Sequence, residues 1–184
     1  NAKKVPVLGG CIGPFSLAGR LFGVSEALEA TMTDPDLMQA LLEKVTSYLI
    51  KYIISFRQVG AAGIIMAEPA AGLLSPRGLA KFSASYVKRI VDATQTPDFT
   101  LILHNCGAQL IHLPKVLESG AEIYHFSTPM DLSAALQQVD PNVILCGNLD
   151  PVAVFFQGTE VEVEQKTLQL LEMAKLHRNF ILSS

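Results

Sequence analysis

Two spacings of apolar residues take turns along this chain. Short apolar runs read as strands: residues 5–10, which close on Gly9-Gly10, then 63–67, 99–104, 121–126, 142–146 and 180–182. Between them, apolar residues recur every three or four positions, as on one face of a helix. The longest such stretch, 35–58, starts at Thr33-Asp34-Pro35 and lines up Leu37, Met38, Leu41, Leu42, Val45, Leu49 and Tyr52. Shorter helices are predicted over 13–23, 26–31, 113–118, 131–139 and 152–157, and longer ones over 76–92 and 160–176. Leu79, Phe82, Tyr86, Val87, Ile90 and Val91 form the inner face of the 76–92 helix.

Strand and helix in alternation, with short connections, predict an α/β fold of parallel strands joined by crossovers. The strand runs are apolar throughout, as for strands covered on both faces. A doubly wound sheet and a (β/α)8 barrel both meet these conditions. No glycine-rich phosphate or dinucleotide pattern follows the first run. Polar residues instead follow several strands: Glu68, His104 with Cys106, Ser127, and Asn148 with Asp150. A site spread over many carboxyl ends is how a barrel is used. The expectation is one barrel-type domain over residues 1–184, about six strands of a (β/α)8 TIM barrel, cut at the N-terminus and at the C-terminus.

Composition narrows the partners. The chain is 49% apolar and 17% charged with a net charge of −3, so it offers no basic field for nucleic acid. No apolar run is long enough to span a bilayer. Three cysteines, Cys11, Cys106 and Cys146, make an odd count that argues against a disulfide framework. A reducing, cytoplasmic setting is expected.

The chemistry concentrates at Leu103-His104-Asn105-Cys106-Gly107. An imidazole and a thiolate at one strand end suit zinc, which needs three protein ligands and an open position for catalysis. A core histidine beside an inert cysteine is the competing explanation. For a third donor, Cys146 reads better as a small buried apolar residue, and Cys11 near the mouth is weaker. Glu68 could supply an oxygen, act as a base or orient the histidine. His112, His125 and His177 carry no motif. Asn148 and Asp150 lie in a turn that helix capping explains equally well.

Taken together, Gly13-Pro14-Phe15-Ser16-Leu17-Ala18-Gly19, Glu68-Pro69-Ala70-Ala71-Gly72 with Ser75-Pro76, His104-Asn105-Cys106-Gly107 and Gly147-Asn148-Leu149-Asp150-Pro151 resemble the uroporphyrinogen decarboxylase superfamily along essentially the whole chain. The resemblance implies a (β/α)8 barrel of about twice this length, of which this is the C-terminal part. The decarboxylases use no metal and have a tyrosine where Arg20 stands and a serine where Pro69 stands. The methylcobamide:thiol methyltransferase branch, of the coenzyme M type, carries His-x-Cys plus a distant cysteine as zinc ligands. His104 and Cys106 match the first two, and the third would follow Ser184.

The implied activity is zinc-dependent transfer of a methyl group between a corrinoid (methylcobamide, free as methylcobalamin or on a corrinoid protein) and a small thiol. Glu68 is then the catalytic candidate, and Arg20, Asn148 and Asp150 are the substrate-binding candidates. Ser127 stands where the family often has an aspartate. Two other readings stay open: a tetrapyrrole decarboxylase-like enzyme, and a non-catalytic barrel that binds a corrinoid or a partner. Two open sheet edges predict a homo-oligomer.

Overall fold

The computed structural model describes residues 5–184; the first four residues of the expected domain lie outside the described residues. Six strands form one parallel sheet in the order β1 (Leu8–Ile12), β2 (Gly63–Ala67), β3 (Thr100–Asn105), β4 (Ile123–Phe126), β5 (Ile144–Asn148) and β6 (Phe180–Ser183). Spatial order equals chain order, with no point where it reverses. A doubly wound sheet has such a reversal, and a barrel does not. The sheet is therefore an incomplete barrel, with β1 and β6 as its two edges.

Three helices separate β1 from β2: α1 (Pro14–Phe22), α2 (Val24–Thr33) and α3 (Pro35–Gln58). Asp34 caps α3 by accepting from the Leu37 amide, and Pro35 holds its first turn. The face that α3 buries is Met38, Leu42, Val45, Thr46, Leu49 and Ile53. Leu37 and Tyr52, predicted on that face, are instead exposed at its margins. At about 1.5–3 kcal/mol per fully buried large apolar side chain, this stripe is enough to hold α3 on the sheet.

The predicted 76–92 helix is one helical stretch built of α4 (Pro76–Leu79), a π turn over Ala80–Ala84 and α5 (Ser85–Thr94). Its predicted inner face is buried throughout. Then follow α6 (Leu113–Leu117), α7 (Leu132–Gln138), a π turn over Pro151–Phe156 and α8 (Glu160–Ala174). A Thr159–Glu162 capping box starts α8. No helix among the described residues is long and apolar enough to cross a membrane.

Two predicted strands shift. The first was expected to end at Gly9-Gly10, yet β1 runs through both glycines to Ile12, because each pairs in register with β2. The fifth was expected to break before Gly147, yet β5 reaches Asn148, pairing with β6 at Gly147 and Asn148. Gly147 sits at φ 141°, with its α-carbon so close to the Phe126 carbonyl that a side chain would collide. Glycine there keeps β5 against β4.

Candidate functional site

Register sorts the residues near the strand ends into two faces. Ile12, Ala67, His104, His125, Cys146 and Ile181 are lateral neighbours on the six strands. Neighbours in a parallel register share a face, so two histidines and a cysteine stand side by side on β3, β4 and β5. The next row back, Cys11, Met66, Leu103, Tyr124, Leu145 and Phe180, points to the opposite face. That face packs under the helices, and Met66, Leu103, Tyr124 and Leu145 in it belong to the core.

His104 and His125 meet ring to ring, Nδ1 to Nδ1 at 3.1 Å with centroids 4.6 Å apart. On its far side His125 reaches the Ser184 carbonyl oxygen, 3.0 Å from Nε2. Burial pushes the pKa of both imidazoles below the ordinary value, and His125 lowers that of His104 further. The lowered pKa values favour the neutral form, in which an imidazole offers a lone pair. His125 carries no motif around it. Its only signal is position, a histidine on the strand after the His-x-Cys strand, and register must be known before that signal can be read.

Cys106 lies just past β3, in a turn, and is half-buried. The turn is held by a close approach of backbones: a side chain added at Gly72 would run into the Gly107 carbonyl group. Gly72 ends the Glu68–Gly72 segment, so the loop after β2 braces the loop that carries Cys106. Cys146, expected to be a small buried apolar residue, is buried but shares its face with the histidines. Burial pushes its thiol pKa up, partly offset by the Ser183 hydroxyl.

Glu68 follows β2 and is buried. It is 1% exposed, and its carboxylate accepts from the Phe15 amide at 2.8 Å, the Ser16 amide at 2.9 Å and the Ser83 hydroxyl at 2.9 Å. Gly13 precedes α1 and has no side chain to cap it, so Glu68 caps it from β2. Ser16 extends the link by accepting from the Ala70 amide. Burial raises the Glu68 pKa above the usual carboxylate value. Both of its oxygens accept hydrogen bonds that join α1 and the π turn to the end of β2.

Cys11 lies in the row of the opposite face. It faces the helix side, where burial and then the nearby Glu68 push its thiol up to about 12. His112 is a structural residue: Nδ1 accepts from the Gln109 amide and Nε2 lies 3.1 Å from the Leu74 carbonyl. Arg20 is exposed in the last turn of α1. Asn148 donates from Nδ2 to the Ser127 and Met130 carbonyls, tying β5 to the loop after β4. Asp150 accepts from the Val152 and Ala153 amides, the capping job its turn suggested. Both line a hollow of about 460 Å³ beside α8, whose walls include Lys166 but neither His104 nor Cys106. These residues are thus not gathered with the histidine pair.

The donor set can be tested for zinc directly. A neutral imidazole and a half-buried thiol two residues on are donors of the kind zinc takes. Among the described residues no cluster of three or more His, Cys, Asp or Glu side chains is placed to hold a metal ion. His104 and Cys106 are two donors of that kind at one strand end.

The family model for uroporphyrinogen decarboxylase (URO-D) matches residues 1–184. The chain belongs to that family. Among curated URO-D-type relatives, the methylcobamide:CoM methyltransferase MtbA of Methanosarcina mazei is 33% identical over 172 residues, 92% of this chain and 50% of the relative. A uroporphyrinogen decarboxylase of Desulfotalea psychrophila is 30% identical over 179 residues, 94% of this chain and 51% of the relative. The chain spans about half the length of the curated relatives it matches. A solved methyltransferase from Methanosarcina mazei superposes with a TM-score of 0.85 at 22% identity, covering 97% of this chain and 52% of that one. At that identity the likeness concerns the fold, and it agrees with the partial barrel seen here.

Proposed function

We propose that this chain is part of a zinc-dependent, corrinoid-linked methyltransferase, with His104 and Cys106 as two of its metal ligands. The observation that carries the reading is the end of β3: a neutral His104 braced by His125, followed by Cys106 in a turn locked by Gly72. The methyltransferases among the relatives support the same choice over the decarboxylases.

Zinc bound there would lower the pKa of a thiol substrate, so that thiolate forms near neutral pH. In the transfer the thiolate sulfur takes the methyl group and the corrinoid keeps the electron pair of the broken bond. The corrinoid enters as free methylcobamide or on a partner protein. His104 would contribute a neutral nitrogen, and Cys106 a sulfur whose thiol sheds its proton on binding. A third donor lies outside the set that the described residues assemble. Arg20, Asn148 and Asp150 keep a substrate-contact role only if they form the rim of the mouth. The cytoplasm, which keeps Cys106 reduced, is the compartment this chemistry requires.

The test is made on the full-length protein purified with zinc available. Stoichiometric zinc, its loss on His104→Ala and Cys106→Ser, and demethylation of methylcobalamin by a small thiol are expected. Absence of zinc together with metal-free decarboxylation of a tetrapyrrole would replace this reading with the decarboxylase one. Corrinoid binding without turnover would leave a binding barrel.

A further inference from the structure

Two contacts, Nδ1 to Nδ1 and Nε2 to the Ser184 oxygen, bear on which nitrogen of His104 is free. A backbone carbonyl oxygen has no hydrogen to give, so at the 3.0 Å contact with Ser184 it is His125 Nε2 that donates. A neutral imidazole carries one N–H. His125 Nδ1 is therefore bare and can only accept. Across the 3.1 Å contact His104 must then supply the proton from its own Nδ1, which leaves its Nε2 with the lone pair. The chain of donors runs in one direction: His104 Nδ1–H to His125 Nδ1, then His125 Nε2–H to the Ser184 oxygen.

We infer that His125 is a positioning residue, which fixes His104 as the Nδ1–H tautomer and presents Nε2 as the nitrogen available to a ligand. A metal-bound histidine ordinarily has its second nitrogen held by a carboxylate, a backbone carbonyl or water. In this chain a second imidazole on the neighbouring strand takes that place. Backbone register sets the pairing, since His104 and His125 are direct partners across β3 and β4. The metal part of this inference rests on the ligand role proposed for His104, whereas the tautomer assignment does not.

Long-range 1H–15N spectra of the histidine rings, recorded above pH 7 without metal, test it. Wild type is expected to show His104 protonated at Nδ1 and His125 protonated at Nε2. In His125→Phe, His104 is expected to lose its preference for the Nδ1–H form. His104 protonated at Nε2 in wild type, or an unchanged tautomer in His125→Phe, would overturn the inference. If His125→Phe does not fold, the wild-type spectra decide alone.

In the full-length protein, competition with a chelating dye is expected to show zinc bound about 10–100-fold more weakly in His125→Phe. Equal affinity would refute the positioning role. Failure of wild type to bind zinc would sink the proposed function while leaving the tautomer spectra to judge this inference.

Discussion

The Glu68 carboxylate, at the end of β2, accepts the Ser16 amide at 2.9 Å and so completes the first turn of α1 from another element. With the Phe15 amide and the Ser83 hydroxyl it gathers α1, β2 and the π turn of residues 80–84 around one buried group. Local sequence offers α1 no cap at Gly13, so the helix depends on this distant side chain.

Glu68→Ala should therefore act far beyond the loss of one contact. It leaves two buried amides and a hydroxyl without an acceptor, at a cost of about 2–4 kcal/mol. The midpoint of urea unfolding is the measurement. A change within experimental error would mean that water replaces the carboxylate freely.

The same residue carries a pH signature. Burial, the largest influence, raises its folded pKa above the unfolded value of 4.5. Its contribution to stability is therefore fully present below the unfolded pKa and is lost as pH rises through the folded pKa. Glu68→Gln removes this titration. Stability of wild type relative to Glu68→Gln is expected to fall between pH 4.5 and the folded pKa, read from unfolding curves across that range. A difference independent of pH would contradict the burial argument.

The Gly72–Gly107 contact allows a second kind of test. A methyl group on residue 72 would meet the Gly107 backbone, which has no flexible side chain to move aside. Gly72→Ala is expected to destabilise by about 1–3 kcal/mol and to shift the Cys106 turn. Weaker zinc binding by the full-length variant, with its fold retained by circular dichroism, would report that shift.

Thiol labelling should separate the three cysteines. Cys11 is pushed up to about 12, and Cys146 is raised by burial, while Cys106 lies half-exposed in a turn. Thiolate is the reacting species. Iodoacetamide near neutral pH, followed by peptide mass analysis, is expected to modify Cys106 first. Faster modification of Cys11 would mean that its side of the sheet opens.

Exposed apolar side chains on the edge strand β6, and on β2 next to the other edge β1, supply a further expectation. Ile181 is 43% and Leu182 38% exposed, and Ile65 on β2 is 38% exposed. Edge strands with such residues pair with other chains. Sedimentation of this 184-residue chain is expected to show self-association. A monomer at all concentrations would show that the edges are blunted.

Much of the architecture was legible because it is written in local periodicity. The α3 stripe from Met38 to Ile53 and the Asp34-Pro35 start need only neighbours along the chain, and so does the Thr159–Glu162 box of α8. The His104-Asn105-Cys106 signal stood out for the same reason, two donors close in sequence at the end of an apolar run. Strand ends were harder. Gly9-Gly10 and Gly147 look like breaks to any local rule, and only pairing with β2 and with β6 keeps them extended.

The roles of single polar residues divide along the same line. Sequence alone determined the alternation of strands and helices, the membership of the URO-D family, and the placing of His104 and Cys106 at one strand end. Tertiary structure decided that Glu68 caps α1, that Cys11 lies under the helices, and that His125 rests against His104. The reason is physical. Periodicity and capping are properties of residues a few positions apart, whereas the face a side chain points to, and what it meets there, depends on register between strands about 20 residues or more apart in the chain.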